Sequence, residues 1–446
     1  MAIASAWRKT RLGDVARIKH GWPFKSECFC EWGPGLPVVV NIGNFQYTGG
    51  FRFETTQLKG YHGEYPKEYE LSPGDVLLVM TCQTAGGEIL GIPGRIPGNG
   101  CMYLHNQRMG KVVVTRPDLI DLYYLYWIFL WKDFNQELVA SSSGTKILHT
   151  APTRIEAFHF SLPPLDEQRA IARILGALDD KIESNRRMNG TLEAMAQALF
   201  KAWFVDFDPV VAKREGRKPV GMDDATAALF PERFQDTAMG PVPAGWKQGR
   251  IGDVLALSRA SINPSDYPDE TFSHYSIPAF DSGATPIKEL GASIKSNKYR
   301  IPDICVLISK LNPETPRVWT PSGPFEHLAI CSTEFFVTVP RQPFSTAYVF
   351  SLLGSKEFTE EFATFVTGTS NSHQRVKPDD FLNMLAVSPR REIVEAFDQR
   401  VAILLNRVQR ARKQSSSLAS LREALLPKLL SGDLTVGQTE KIVEES

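Results

Sequence analysis

The 446-residue sequence has no surplus of either charge, since fifty lysines and arginines balance fifty aspartates and glutamates. No chain-wide positive field draws it to nucleic acid or to an anionic membrane. Such a partner would have to be met by a local basic face or through another subunit. Cysteine is sparse: Cys28, Cys30, Cys82, Cys101, Cys305 and Cys331 include no CxxC pair, so reduced thiols in a cytoplasm are the expectation. The opening MAIASAWRKTRLGD lacks the apolar stretch of a secretory signal. The most apolar run, Leu122–Trp131 (LYYLYWIFLW), falls well short of the roughly 20 residues that cross a bilayer. It reads as a buried helix or strand.

Catalytic signatures are missing too. No Asn-Pro-Pro-aromatic motif of an adenine methyltransferase occurs, and no glycine fingerprint opens a helix after a strand. A self-contained methyltransferase or nuclease is therefore disfavoured, and no cofactor is expected in this chain. The glycines of GIPGRIPGNG (Gly91–Gly100) fit neither a dinucleotide nor a P-loop spacing and read as a surface loop. Asp179-Asp180-Lys181 contains the Asp-x-Lys of nuclease metal sites, but no acidic partner lies upstream in range, and a solvated helix face accounts for it. The eight histidines stand at no metal-ligand spacing.

What the sequence does contain is itself, twice. Trp7-Arg8-Lys9 with Leu12-Gly13-Asp14-Val15 returns as Trp246-Lys247 with Ile251-Gly252-Asp253-Val254, an offset of 239. Leu71–Leu78 resembles Ile301–Leu307, with Asp75 matched to Asp303 at 228. Tyr124 matches Tyr348, and Gly144-Thr145 with His149 matches Gly368-Thr369 with His373, at 224. A one-way drift is what two copies of a domain show when the second carries deletions. Each copy has β-branched runs between Gly/Pro turns, such as Val38-Val39-Val40, Val76–Val79 and Lys111–Val114, and reads as α+β with a mostly β core.

Each copy ends in a long helical pattern. From Leu165 to Phe204 no proline occurs, and Ile171, Leu175, Leu178, Ile182, Asn185, Asn189, Leu192, Ala196, Leu199 and Trp203 alternate spacings of four and three, a coiled-coil seam. Arg390 to about Leu430 repeats the pattern through Phe397, Val401, Leu404, Val408, Ala411, Ser415, Leu418, Leu421 and Leu425. Both follow a proline, and the second stops at Ser431-Gly432. At about 1.5 Å per residue each is a rod of about 60 Å. Asn185 and Asn189 either set the register or lie exposed where the helices diverge. Antiparallel packing would hold the copies apart, able to reach major grooves about 34–36 Å or more from each other; the linker, with its five prolines between Val205 and Gly245, permits either direction.

These residues resemble the specificity subunits of type I restriction-modification systems over nearly the whole chain. The carriers are Trp246-Lys247 with Ile251–Val254 after GPVPAGW, Ile308–Trp319 (ISKLNPETPRVW), Cys331–Phe335 (CSTEF), Leu162–Gln168 (LPPLDEQ) leading into a helix, and Leu421–Gly432 (LREALLPKLLSG). The resemblance implies an α+β chain with a pseudo-two-fold internal repeat: recognition domains at 1–161 and 246–388, antiparallel coiled-coil spacer helices at 162–205 and 389–432, a linker at 206–245 and a tail at 433–446. It implies that each domain reads half of a bipartite, asymmetric DNA site and that the helices hold two modification subunits. Those subunits carry AdoMet and are joined by translocating restriction subunits. The second copy departs from the family with Pro389-Arg390-Arg391-Glu392 in place of a Pro-Leu-x-Glu-Gln start. A coiled-coil scaffold without base specificity is the competing reading.

Amides and guanidiniums on loops are the expected base-reading groups because they make bidentate bonds to purine edges. The candidates are Lys25, Thr81, Gln83, Gln107, Arg108 and Lys146 in the first copy, and Ser309, Lys310, Asn312, Arg317, Gln374 and Arg375 in the second. His149 and His373 form a pair for which a structural hydrogen bond is the alternative to base contact. Partner contacts are expected at Asp166, Gln168, Arg169, Arg422, Leu429 and Leu430, because a coiled coil buries only its seam.

Overall fold

The computed structural model describes residues 7–444 apart from 52, 54–57, 85, 145, 239, 322, 324 and 368–373. Thr145, Gly368, Thr369 and His373 thus lie outside the described residues. The chain divides into two compact units, Met1–Lys181 with Leu418–Ser446, and Ile182–Ser417. Among the described residues no helix is long and apolar enough to cross a membrane.

In the first unit a four-stranded antiparallel sheet has the order Ala16–His20, Met109–Val114, Val76–Val79, Pro93–Arg95. All four residues of Val76–Val79 are buried, as a continuous apolar run in a central strand requires. The helix Leu122–Leu130 packs on this strand. Its start is fixed by the Asp121 carboxylate, which accepts the N–H groups of Tyr123 (2.9 Å) and Tyr124 (3.1 Å). A five-stranded sheet lies beside it in the order Phe29–Glu31, Lys59–Tyr61, Val38–Val39, Tyr103–Leu104, Glu70–Leu71. The chain enters and leaves through one antiparallel pair, Arg8–Arg11 with His159–Leu162.

GIPGRIPGNG is only in part a surface loop. Pro93–Arg95 is an edge strand, Gly91 turns with φ +79° where a Cβ would meet Leu138 and Phe134, and the Phe45 ring lies over Gly94. The glycines make room for rings, a use that composition alone does not distinguish from a loop.

The second unit repeats the plan. Its four-stranded sheet runs Leu255–Ser258, Phe335–Pro340, Val306–Ser309, Val318–Trp319, its five-stranded sheet holds Ser261–Ile262, Lys298–Arg300, Leu328–Cys331, Thr271–Tyr275 and Ile287–Leu290, and Lys247–Arg250 pairs with Leu385–Ser388. Tyr124 Oη donates to Ser161 O (3.4 Å) and Tyr348 Oη to Val387 O (3.5 Å), the same bond in each copy. Strand register corrects two of the matches read from sequence. Met109 faces Val79 as Phe335 faces Ser309, so Asp75 corresponds to Cys305 and not to Asp303. Thr81 faces His149 as Leu311 faces Arg375, so the counterpart of His149 is Arg375 and not His373.

The long helices are Leu165–Phe204 and Arg391–Ser431. In the first unit Ile171, Leu175 and Leu178 share a core with Leu425, Leu429 and Leu430, Asp179 is ion-paired to Arg422, and Arg173 meets Glu440 at 2.7 Å. In the second, Asn185 Nδ2 donates to Gln414 Oε1 (2.9 Å) and Ser415 Oγ (3.2 Å), and Phe200, Trp203 and Phe204 pack on Phe397. Numbers rise along one helix as they fall along the other, so the packing is antiparallel in both units. Asn185, 1% exposed, is an interface residue. Asn189 is buried as well, its Oδ1 without a partner among the described residues. Asp179 is not on a solvated face: it is half-buried against Arg422, while Asp180 and Lys181 stand in water. Between the copies, a segment with two helices (Asp208–Arg214, Asp224–Leu229) and a hairpin (Phe234–Thr237, Gly240–Pro243) puts Val210 of the first helix, and Met222 and Phe230 on either side of the second, into the core of the second unit.

Candidate functional site

At one end of each four-stranded sheet three segments converge, and they hold most of the polar candidates. In the first copy the strand continues into Met80–Cys82. Met80 N–H donates to Arg108 O (3.0 Å) on one side, and Thr150 N–H donates to Met80 O (3.0 Å) on the other. In the second copy Lys310 N–H donates to Glu334 O (2.9 Å) and Val376 N–H to Lys310 O (3.1 Å). Thr81, Gln83, Gln107, Arg108 and Lys146 therefore lie on adjoining segments, as do Ser309, Lys310, Asn312, Gln374 and Arg375. By the same backbone equivalence Met80, Thr81, Arg108 and His149 correspond to Lys310, Leu311, Glu334 and Arg375. One frame presents two unlike sets of side chains.

The entry to the first cluster is tight. Trp22 N–H donates to His105 O (2.8 Å) and Gln107 N–H to Trp22 O (3.0 Å), and a Cβ on Gly21 would lie 2.2 Å from Asn106 O. Only glycine permits that approach. Gln83, Gln107, Arg108 and Lys146 are exposed. Thr81 is 6% exposed, its hydroxyl 3.1 Å from His149 Nδ1. Lys25 is exposed and stands by the five-stranded sheet, where the neighbouring Phe24 packs on Tyr61 at 4.8 Å.

The second cluster carries a charge network. Arg375 donates from Nε to Glu334 Oε2 (2.8 Å) and from Nη2 to Glu334 Oε1 (2.9 Å). That hydrogen bonding holds the Glu334 carboxyl below the ordinary carboxylate range. Burial pushes the Lys310 ammonium down, against the pull of Glu334, and its Nζ lies 5.8 Å from the centre of the Phe336 ring. Asn312 has φ +50°, and its N–H donates to Gln374 O (3.1 Å). Ser309, 2% exposed, is spent on Leu311: its Oγ accepts the N–H (3.2 Å) and donates to the carbonyl (2.9 Å). Arg317 is also turned inward, bidentate to Asp281 at 2.7 and 3.0 Å with a side chain 13% exposed. Glu334 escaped sequence reasoning because its sign is wrong for nucleic acid. Its place opposite Arg108 in the repeat emerges only from strand pairing.

The expected partner residues fall into two groups. Asp166 and Arg169 are exposed and 3.8 Å apart. Gln168, by contrast, is 0% exposed and anchors the start of the helix: Asp121 N–H donates to its Oε1 (2.9 Å), and its Nε2 donates to Leu119 O and Pro163 O (2.8 Å each). Leu429 and Leu430 are core residues at 0% and 1% exposure, and Arg422 at 8% is held by Asp179. Gln168, Arg422, Leu429 and Leu430 thus present almost no surface, and a partner would meet the outward faces beside them. Among the described residues no three His, Cys, Asp or Glu side chains gather as a metal site.

The family described as "Type I restriction modification DNA specificity domain" matches residues 4–194. The type I restriction enzyme HindI specificity subunit of Haemophilus influenzae is 23% identical over 96% of this chain and 100% of its own length. The MjaIX specificity subunit of Methanocaldococcus jannaschii is 26% identical over 97% and 95%. Residues 4–194 match that DNA specificity domain, and the chain is similar to type I restriction specificity subunits over nearly its whole length. The crystal structure of the type I restriction-modification S subunit from M. genitalium, 14% identical, shares the fold with a TM-score of 0.52 over 95% of this chain and 96% of that one. That likeness of fold runs through both copies and not the first alone.

Proposed function

We propose that the chain is the non-catalytic DNA-reading subunit of a type I restriction-modification complex, each copy contacting one half of a bipartite, asymmetric DNA site. The observation that carries this reading is the pair of unlike side-chain sets on one repeated backbone frame: Met80, Thr81, Arg108 and His149 in one copy, Lys310, Leu311, Glu334 and Arg375 in the other. Two equal readers would match an inverted repeat; two unequal ones match two unequal half-sites. In this reading residues 1–161 and 246–388 are the recognition domains, 162–205 and 389–432 the spacer helices, 206–245 a linker folded onto the second copy and 433–446 the tail. Two modification subunits, which supply AdoMet, dock on the outward helix faces near Asp166 and Arg169, restriction subunits join through them, and the complex works in the cytoplasm.

The exposed residues Gln83, Gln107, Arg108 and Lys146 and the second-copy residues Lys310, Asn312, Gln374 and Arg375 are the contact candidates, with Lys25 in a flanking position. The test is selection from a randomised duplex library by the full chain in complex with its modification subunits, followed by mapping of methylated sites. A bipartite sequence with a fixed gap is expected. Enrichment of no sequence would favour a scaffold without base specificity.

A further inference from the structure

We propose that Arg375 reads a guanine in the half-site of the second copy and that Glu334 is the positioning residue that aims it. This rests on the DNA-reading function proposed above and adds a base, a position and a device to it.

The case begins with which edge of the guanidinium is occupied. Glu334 takes the Nε and Nη2 donors at 2.8 and 2.9 Å, so the plane is fixed while the Nη1–Nη2 end of the fork has no partner among the described residues. That end is the bidentate match for guanine O6 and N7. The side chain is 38% exposed, against 13% for Arg317 in its similar grip by Asp281, and the Arg317 Nη1 is buried without a partner among the described residues. Of the two clamped arginines only Arg375 faces outward. Its clamp is also anchored: Glu334 and Arg375 sit on segments bonded to either side of Lys310 and Leu311. The rotamer freedom that an arginine gives up on binding is thus already lost in the free protein.

Guanine is favoured over a phosphate because Glu334 cancels the charge that draws an arginine to the backbone while leaving its directional donors intact. In the first copy the same two places hold Arg108 and His149, with His149 3.1 Å from the Thr81 hydroxyl, so neither place holds a carboxylate to aim a fork. The effect therefore belongs to one half-site.

The full chain in its complex is used to select from the same randomised duplex library, as wild type, R375A, R375K and E334Q. The wild type is expected to enrich a guanine at one position that R375A abolishes, a loss of roughly 5- to 150-fold in preference there with all other positions intact. R375K loses it as well, since an ammonium is not a planar fork, and E334Q weakens the preference at that same position alone. R375K and E334Q keep the size of the side chains and decide the matter if R375A does not fold. An unchanged profile, or loss of a base other than guanine, overturns the proposal. So does a uniform fall in affinity across sequences with a salt slope reduced by about one, the mark of a phosphate contact. If the wild type itself enriches no sequence, the DNA-reading function fails and this inference with it, a result distinct from a specific profile that R375A leaves untouched.

Discussion

Replacing Gln168 by alanine should unfold the start of the first long helix from the first copy, although the residue sits in a polar, charged sequence. Its amide satisfies three groups at once, the Asp121 N–H and the Leu119 and Pro163 carbonyls, at 2.8–2.9 Å with no solvent contact. A buried polar group left without a partner costs about 1–3 kcal/mol, carbonyls toward the lower end. Relief of side-chain ordering returns about 1–2 kcal/mol. The expected net loss is about 3–5 kcal/mol, a large share of the roughly 5–15 kcal/mol that holds a domain together. Urea denaturation of the full chain measures the loss, and hydrogen exchange locates it, with residues 119–125 expected to lose protection first. A loss below about 1 kcal/mol, or protection lost elsewhere while 119–125 stay slow, would refute the reasoning. Gln168 would then be available to a partner after all.

Three further outcomes are expected. Aspartate at Leu429 or Leu430 should destabilise the first unit itself, by several kcal/mol as for any unpaired charge in a core; a variant of wild-type melting temperature that fails only to assemble would contradict this. Asn185→Leu should leave stability equal or higher, because a buried polar seam residue trades stability for register, and an accompanying loss of the single wild-type hydrodynamic species is the expected sign; a sharp drop in stability would refute it. Burial pushes the Asp398 carboxyl up to about 6, where it accepts a bond from Ser345, the cap of the helix Thr346–Leu353. A raised carboxyl pKa favours the folded state below the unfolded value near 4, and that contribution is lost as pH rises through about 6. D398N should flatten the wild-type fall in stability between pH 4 and 7 by roughly 3 kcal/mol, and parallel pH profiles of the two proteins would remove Asp398 as the cause.

The long helices were legible because their signal is periodic and opens just after a proline: the range expected from spacing, Leu165 to Phe204, is the one observed. The duplication was legible for a similar reason, as order kept over many short words. Register was not. Deletions between the words shift the matches, and only strand pairing shows that His149 answers to Arg375. The misread residues share a physical cause, since Gln168, Asp179 and Gly94 each take their role from a partner distant in sequence. A glutamine on a helix is ordinarily wet, an Asp-Asp-Lys run is ordinarily solvated, and a glycine-rich stretch is ordinarily a loop. Gln168 bonds to Leu119 and Asp121, Asp179 to Arg422, and Gly94 lies under Phe45. Of the candidate site, residue types were readable and orientation was not, so Ser309 and Arg317 looked like readers while Glu334 went unnoticed.

The strand pairs Arg8–Arg11 with His159–Leu162 and Lys247–Arg250 with Leu385–Ser388 make each globular part an insertion whose two ends lie one strand spacing apart, about 5 Å. Whatever lies between those ends can be lengthened, shortened or replaced by another reader of the same sheet plan, and the helices beyond keep their length, seam and register as long as the replacement keeps the contacts that Leu119 and Asp121 make with Gln168. If each copy reads one half-site as proposed, a recombination event that cuts within these strand pairs would trade one half of the recognised sequence for another in a single step. On that reading the innovation would be confined to one cassette, and the helices proposed to set the distance between half-sites would be inherited unaltered.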